Sequence, residues 1–302
     1  MRTLLVVVLL QPVVWLLGSC TANPANPSGD DGAGQMMVHP GQGKFTVTWR
    51  DRQIPVFYDA PSSPLDQASV LIVMPGVQRN AAEYRDDWVP LIGERPVIVL
   101  VPQLSENDFP GAYSYNLGGM VDAGGNAVDP ARWTFNVVDQ VFDRVVRHLG
   151  STATTYSLFG HSAGAQFVDR LVVFAPSSRV RVAAAANPGW YTATDDNIDF
   201  PYGLNKNPLD VDGLAPSFRV PLVVMLGNDD VDPENDTLRR DAGSDAQGDN
   251  RLERGLNFYI GARKAARDES MAFAWRLIVV PGVAHDHAQM AKAAEPVLLG
   301  PP

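Results

Sequence analysis

Ser162 lies in Gly160-His161-Ser162-Ala163-Gly164, a serine with a glycine two residues to either side. A serine hydroxyl is a weak nucleophile. It attacks a carbonyl only when a base takes its proton and when donors await the developing oxyanion. The flanking pattern would present the hydroxyl for such work: Tyr156-Ser157-Leu158-Phe159 reads as a strand and Ala165-Gln166-Phe167-Val168-Asp169-Arg170-Leu171 as a helix. A strand turning sharply into a helix forces the central residue into a strained backbone angle and crowds its neighbours, which the two glycines tolerate. Ser162 would then stand above a sheet at the amino end of a helix, where unpaired amides and the helix dipole favour negative charge. The amide of Ala163, next along, is one expected oxyanion donor. The chemistry expected is acyl transfer.

A base must come from five histidines. His39 lies in a Pro- and Gly-rich stretch, and His148 closes a helix, where an imidazolium offsets the dipole. His161, inside the glycine motif, projects beside the nucleophile and reads as packing and hydrogen-bonding support. That leaves His285 and His287 in Val280-Pro281-Gly282-Val283-Ala284-His285-Asp286-His287, after a strand-like run. A base also needs a carboxylate to fix its tautomer. Leu226-Gly227-Asn228-Asp229-Asp230-Val231-Asp232-Pro233 offers Asp229, Asp230 and Asp232, again after a strand-like run. The same acidic stretch, continuing through Glu234, Asp236, Asp241 and Asp245, lacks the spacing of a calcium loop, so no metal is expected.

These residues require a scaffold of buried strands. Phe45–Trp49 and Ile54–Tyr58 flank Arg50-Asp51-Arg52-Gln53 and predict an opening antiparallel hairpin. Short apolar runs follow at 70–74, 97–101, 156–159, 180–186, 222–226 and 275–280, suited to strands covered on both faces. Helical periodicity fills 81–92, 135–149, 163–174, 251–267 and 288–298. This alternation predicts an α/β sandwich forming one catalytic domain over residues 44–298. Two connections, 105–132 and 189–219, exceed what linkage requires and leave the carboxyl ends of strands. Substrate contacts are expected there.

Together these segments resemble exported bacterial esterases of the α/β-hydrolase superfamily, distantly similar to polyhydroxyalkanoate depolymerases and feruloyl-esterase-like enzymes. The resemblance spans most of residues 70–292. It includes Arg79-Asn80-Ala81-Ala82-Glu83-Tyr84, Tyr115-Asn116-Leu117-Gly118, Asn187-Pro188-Gly189-Trp190-Tyr191 and Gln247-Gly248-Asp249-Asn250-Arg251. It implies an α/β-hydrolase fold, with a mostly parallel sheet of about eight strands between helices, and the chain order Ser162, Asp230, His285. His285 is favoured by its spacing from Gly282, and Asp230 by lying three residues after the strand-ending Gly227. The second oxyanion amide falls to Val77, with Gln78 the runner-up, although Pro75-Gly76 stands where the family more often has His-Gly. Gln78 and Arg79 border this turn and are candidate substrate contacts; Asn80 could equally start the next helix. Trp190 and Tyr191 read either as an aromatic wall for the acyl group or as packing, and Tyr113 and Tyr115 share that ambiguity. The implied activity is carboxylic-ester hydrolysis without a cofactor, on a small or polymeric ester. The rivals are a peptidase on the same fold and a non-catalytic binding lipoprotein.

The 302 residues are 45% hydrophobic and carry a formal charge of -10, which disfavours nucleic acid and anionic lipid as partners. Arg2 followed by the apolar run Leu4–Leu17 predicts a signal peptide over 1–19. Its end, Leu17-Gly18-Ser19-Cys20, resembles a bacterial lipobox. Cys20, the single cysteine, is therefore expected to be lipidated, with ordinary signal cleavage as the alternative. Residues 20–43 then form a tether rich in Pro, Gly, Asn and Asp. The expectation is an exported protein that touches a membrane only through this anchor.

Overall fold

Phe45, Val47 and Trp49 point to one side of the chain, as do Ile54, Val56 and Tyr58. In the computed structural model, which describes residues 38–62, 64–209 and 214–300, these runs pair as antiparallel strands β1 (Gly41–Trp49) and β2 (Arg52–Ala60). Their turn is only Arg50 and Asp51, shorter than the polar run suggested, with Arg50 at φ 57°. Positive φ suits a two-residue hairpin because it matches the twist of the strands. β1 also begins three residues before the boundary drawn from sequence: Gly41, Gln42 and Gly43 pair with Ala60, Asp59 and Tyr58. Ladder pairing uses backbone groups and needs no apolar periodicity, so the polar composition concealed it. The expected signal peptide, Cys20 and the tether up to residue 37 lie outside the described residues.

The remaining strands are β3 (Ser69–Met74), β4 (Val97–Pro102), β5 (Tyr156–His161), β6 (Val180–Ala186), β7 (Leu222–Gly227) and β8 (Arg276–Val280). They complete an eight-stranded sheet in the order β1-β2-β4-β3-β5-β6-β7-β8, parallel from β4 onward. The helices are α1 (Ala81–Ile92), α2 (Gly111–Ser114), α3 (Asn136–Leu149), α4 (Ala163–Phe174), α5 (Ala215–Arg219), α6 (Ala242–Asp245), α7 (Arg251–Asp268) and α8 (His287–Leu299). Alternate residues of each central strand serve two cores. Ile72, Leu100, Leu158, Ala185 and Val224 face α3, α4 and α7, whereas Val73, Val99, Phe159, Ala184 and Val223 face α1 and α8. Burial on both sides explains why these strands read as continuous apolar runs, and each fully buried Val, Leu, Ile or Phe contributes about 1.5–3 kcal/mol.

β5 lies in the middle of the parallel strands, so its carboxyl end opens where connections from β3, β6, β7 and β8 converge. Such a crevice beyond the strand ends is where open α/β sheets carry their ligands. The long connections after β4 and β6 meet over it: Leu117 and Val121 pack with Trp190, flanked by Tyr113, Phe200 and Tyr202.

Candidate active site

β5 passes into α4 through a single residue, Ser162, at φ 56° and ψ -116°. A non-glycine residue in that region is strained, and the surroundings hold it there. The Ser162 amide donates to the Ala186 carbonyl at 2.9 Å, and its carbonyl accepts from Gln166 at 3.1 Å. The glycines two residues away are required by close approach. A Cβ on Gly160 would fall 2.3 Å from the Gly164 carbonyl oxygen, and one on Gly164 would fall 2.0 Å from the Met74 carbonyl oxygen. Small residues thus let the start of α4 press onto the end of β3, which raises the serine above the sheet.

His285 Nε2 is 3.0 Å from Ser162 Oγ, and its Nδ1 is 2.7 Å from Asp230 Oδ2. A carboxylate can only accept, so Nδ1 carries the proton and Nε2 is free to accept from the serine hydroxyl. The two loops holding this pair are joined by backbone. Asp229 donates to Val283 and Asn228 to Val280, while Asn228 Oδ1 receives the Gly282 amide. Asn187, at the end of β6, fastens the same region: its Oδ1 accepts from Gly227 at 2.7 Å and its Nδ2 donates to Ala284 at 3.0 Å. Asp230 is 4% exposed, whereas Asp229 and Asp232 face solvent, Asp232 capping the Glu234 amide. Asp286 caps α8 by accepting from the Gln289 amide, so the helix starts at His287, two residues after His285.

The other two histidines of the cluster are engaged elsewhere. His161 Nδ1 meets the Tyr84 hydroxyl at 3.0 Å, and its ring lies 4.6 Å from that of His285. Burial, then the neighbouring His285 and His287, hold its pKa well below the usual histidine range, so it stays neutral. His287 Nδ1 bonds Asp87 on α1 and its ring stacks on Tyr84 at 4.4 Å; the hydrogen bond that the imidazole donates to Asp87 raises its pKa.

The turn after β3 is braced from both sides. The Tyr115 hydroxyl donates to the Pro75 carbonyl at 2.6 Å, and the Gly76 amide faces the Tyr84 hydroxyl. Gly76 itself approaches Ser162 closely enough that a Cβ there would be 3.6 Å from the serine Cβ. Val77 and Gln78 follow, both exposed, and among the described residues neither the Val77 nor the Ala163 amide donates to a backbone carbonyl. Ala163 adjoins the serine in sequence, and Val77 follows Gly76, the turn residue that approaches it.

Three of the residues proposed to touch substrate are instead buried supports. Arg79 is 4% exposed, donates to the Leu104 carbonyl and Glu106, and lies 3.5 Å over the Tyr115 ring. It ties the β3 turn to the loop after β4. Trp190 packs against Arg170 and Tyr202, and Tyr191 stacks on Phe258 at 4.4 Å. Both are almost fully buried, which decides between wall and packing in favour of packing. Asn80 immediately precedes α1, and its side-chain amide donates to the Glu83 carboxylate without capping the helix. Sequence reasoning assigned no role to Asn187 or Arg251, although both fall in the segments that carry the family resemblance. Arg251 Nη1 lies 3.3 Å from Asp230 Oδ1.

A strand, a strained serine and a helix at the centre of a mostly parallel sheet define an α/β hydrolase. The chain is 40% identical to poly(aspartic acid) hydrolase-1 from Sphingomonas sp. KT-1 over 87% of its own length and 100% of that chain, with a TM-score of 0.83. It is 32% identical to LpqC, a poly(3-hydroxybutyrate) depolymerase from Bordetella parapertussis, over 86% and 90% of the two chains, with a TM-score of 0.81. The siderophore hydrolase EstB from Aspergillus nidulans shares the fold at 14% identity, over 87% and 96% of the two chains, with a TM-score of 0.51. No protein-family model and no curated protein matches the chain. The chain belongs to the α/β-hydrolase superfamily and is related to its depolymerases and esterases.

Proposed function

We propose that the chain hydrolyses carboxylic esters through an acyl-enzyme on Ser162. The observation that carries this reading is the continuous relay from Ser162 Oγ to His285 Nε2 and from Nδ1 to Asp230. As Oγ attacks the ester carbonyl, Nε2 takes its proton, and Asp230 stabilises the imidazolium that forms. The oxyanion is held by the Val77 and Ala163 amides. When the tetrahedral intermediate collapses, His285 returns the proton to the leaving alcohol, and water repeats the sequence to release the acid.

The relatives suggest two polymeric substrates, and surface charge favours one. Poly(aspartic acid) is a polyamide with a carboxylate on every unit, whereas poly(3-hydroxybutyrate) is an uncharged polyester. Among the described residues, and leaving out the buried Asp230 and Arg79, the connections leaving the carboxyl ends of β3, β4, β6, β7 and β8 (75–80, 103–135, 187–214, 228–250 and 281–286) hold fifteen acidic residues against four Lys and Arg. At the opposite end of the sheet, the connections 61–68, 93–96, 150–155, 175–179 and 269–275 hold three and two. A polyanion approaching Ser162 would meet a rim of its own sign, while a neutral ester would not. The reading is therefore a hydrolase of uncharged esters.

The test is hydrolysis of short p-nitrophenyl esters, poly(3-hydroxybutyrate) and poly(aspartic acid) by the wild type and by Ser162→Ala. Expected is turnover of the uncharged esters, little release from poly(aspartic acid), and a loss of about 10^5-fold or more in the variant. Preferential cleavage of poly(aspartic acid) would overturn the substrate class. Unchanged turnover by Ser162→Ala would overturn the nucleophile.

A further inference from the structure

Arg251 opens α7, and its guanidinium is 1% exposed. An arginine so placed loses its hydration, and burial is the main cause lowering its pKa, opposed chiefly by Asp230. Its contacts converge on the acid loop. Nη1 faces Asp230 Oδ1 at 3.3 Å, while Nη2 donates to Thr237 Oγ1 at 2.8 Å and lies 3.2 Å from Asn235 Oδ1. The next amide, Leu252, faces the Asp230 carbonyl at 3.4 Å. Asn250 caps the helix by accepting from Glu253, which fixes where Arg251 begins. Asp230 therefore has its two oxygens divided, one on His285 and one on a buried cation.

We propose that Arg251 is a positioning residue for the reaction: by holding Oδ1 it turns Oδ2 toward His285 Nδ1, and its charge bears on the imidazole through the shared carboxylate. This rests on the ester-hydrolase reading above. Without Arg251 the carboxylate would be buried beside a neutral group and free to rotate from the histidine. The groups facing His285 are Asp230 and Ser162, bonded to it, the His161 ring, and Asp286 next in sequence. Beyond His161 stand Tyr84 on α1 and His287 on α8, the latter paired with Asp87. Arg251 places a positive charge behind Asp230 that opposes protonation of the imidazole. Its removal should let the base be lost at higher pH.

The experiment compares wild type, Arg251→Gln and Arg251→Lys on a short p-nitrophenyl ester, with kcat/KM measured against pH. Rates are normalised to the fraction labelled by a fluorophosphonate. Arg251→Gln should lower kcat/KM by about 10- to 100-fold, less than the roughly 10^4-fold loss expected for a neutralised triad acid. It should also move the acidic limb upward by about one pH unit, the size of a neighbouring charge effect. Arg251→Lys, which keeps the charge but not the fork, should leave the limb within about 0.3 unit of wild type. If the glutamine variant does not fold, Arg251→Met, of similar length and without hydrogen-bonding needs, makes the same comparison. A neutral variant whose limb superposes on wild type, or a lysine variant that shifts as far as the neutral one, overturns the proposal and reduces Arg251 to a loop fastener. A wild type that neither labels nor turns over the ester would instead remove the ester-hydrolase reading itself.

Discussion

His285 and His287 each bond a carboxylate through Nδ1, with Asp230 and Asp87 as the partners, yet only His285 reaches Ser162. The two residues differ in what carries them. His285 sits on the loop between β8 and α8, over the carboxyl end of the sheet, and its segment is stitched to the loop of Asp230 by three bonds at Asn228 and Asp229, with a fourth donated to Ala284 by Asn187 at the end of β6. His287 is the first residue of α8, and the helix directs it outward to α1, where it stacks on Tyr84. A histidine–aspartate pair is thus a common structural device. It becomes a general base only where the other ring nitrogen is left facing a nucleophile.

That contrast can be tested at each member. His285→Ala should lower kcat/KM for an uncharged ester by about 10^4- to 10^6-fold, whereas His287→Ala should cost less than about tenfold. Reversed ranking in steady-state kinetics would exchange their roles. Asp230→Asn, which keeps the shape of the acid, should lower kcat by about 10^4-fold, and Asp87→Asn should leave kcat within about threefold of wild type.

The smallest effect expected is on stability. His287 has its pKa raised from 6.5 on folding, mainly by the Asp87 bond. A raised pKa contributes stability that is fully present below about 6.5 and is lost as pH rises through the higher folded value. Thermal unfolding of Asp87→Asn should therefore fall short of wild type at pH 6 and approach it at pH 9. A deficit that grows with pH would contradict the pairing.

Much of this organisation was legible in the residues because local physics decides it. The strand-to-helix turn at Ser162 follows from two glycines that have no alternative, and α4 occupies the predicted 163–174 to the residue. The helix at 81–92 was equally plain, since Pro90 near its end did not disturb the periodicity. Directions of side chains were less legible. Trp190 and Tyr191 have the same composition whether they line a crevice or fill a core; the meeting of the two long connections settles it for Trp190, and the approach of Phe258 from α7 for Tyr191. Arg79 beside the oxyanion turn suggested a substrate contact, but the approach of Glu106 and Tyr115 from the loop after β4 makes it a strut. Arg251 was invisible as a partner of Asp230 because 21 residues separate them and no local pattern records the return of α7. Asn187 likewise acquires its role from two loops that are remote in sequence.

The difference between the two histidines matters because one of them is taken to activate Ser162, and that is open to direct trapping. Treating the full chain with a fluorophosphonate and weighing the intact protein should give one phosphonyl group per chain. Peptide mapping should place it on Ser162, and Ser162→Ala should take up none. No adduct on the wild type, or an adduct that persists in Ser162→Ala, would contradict the account.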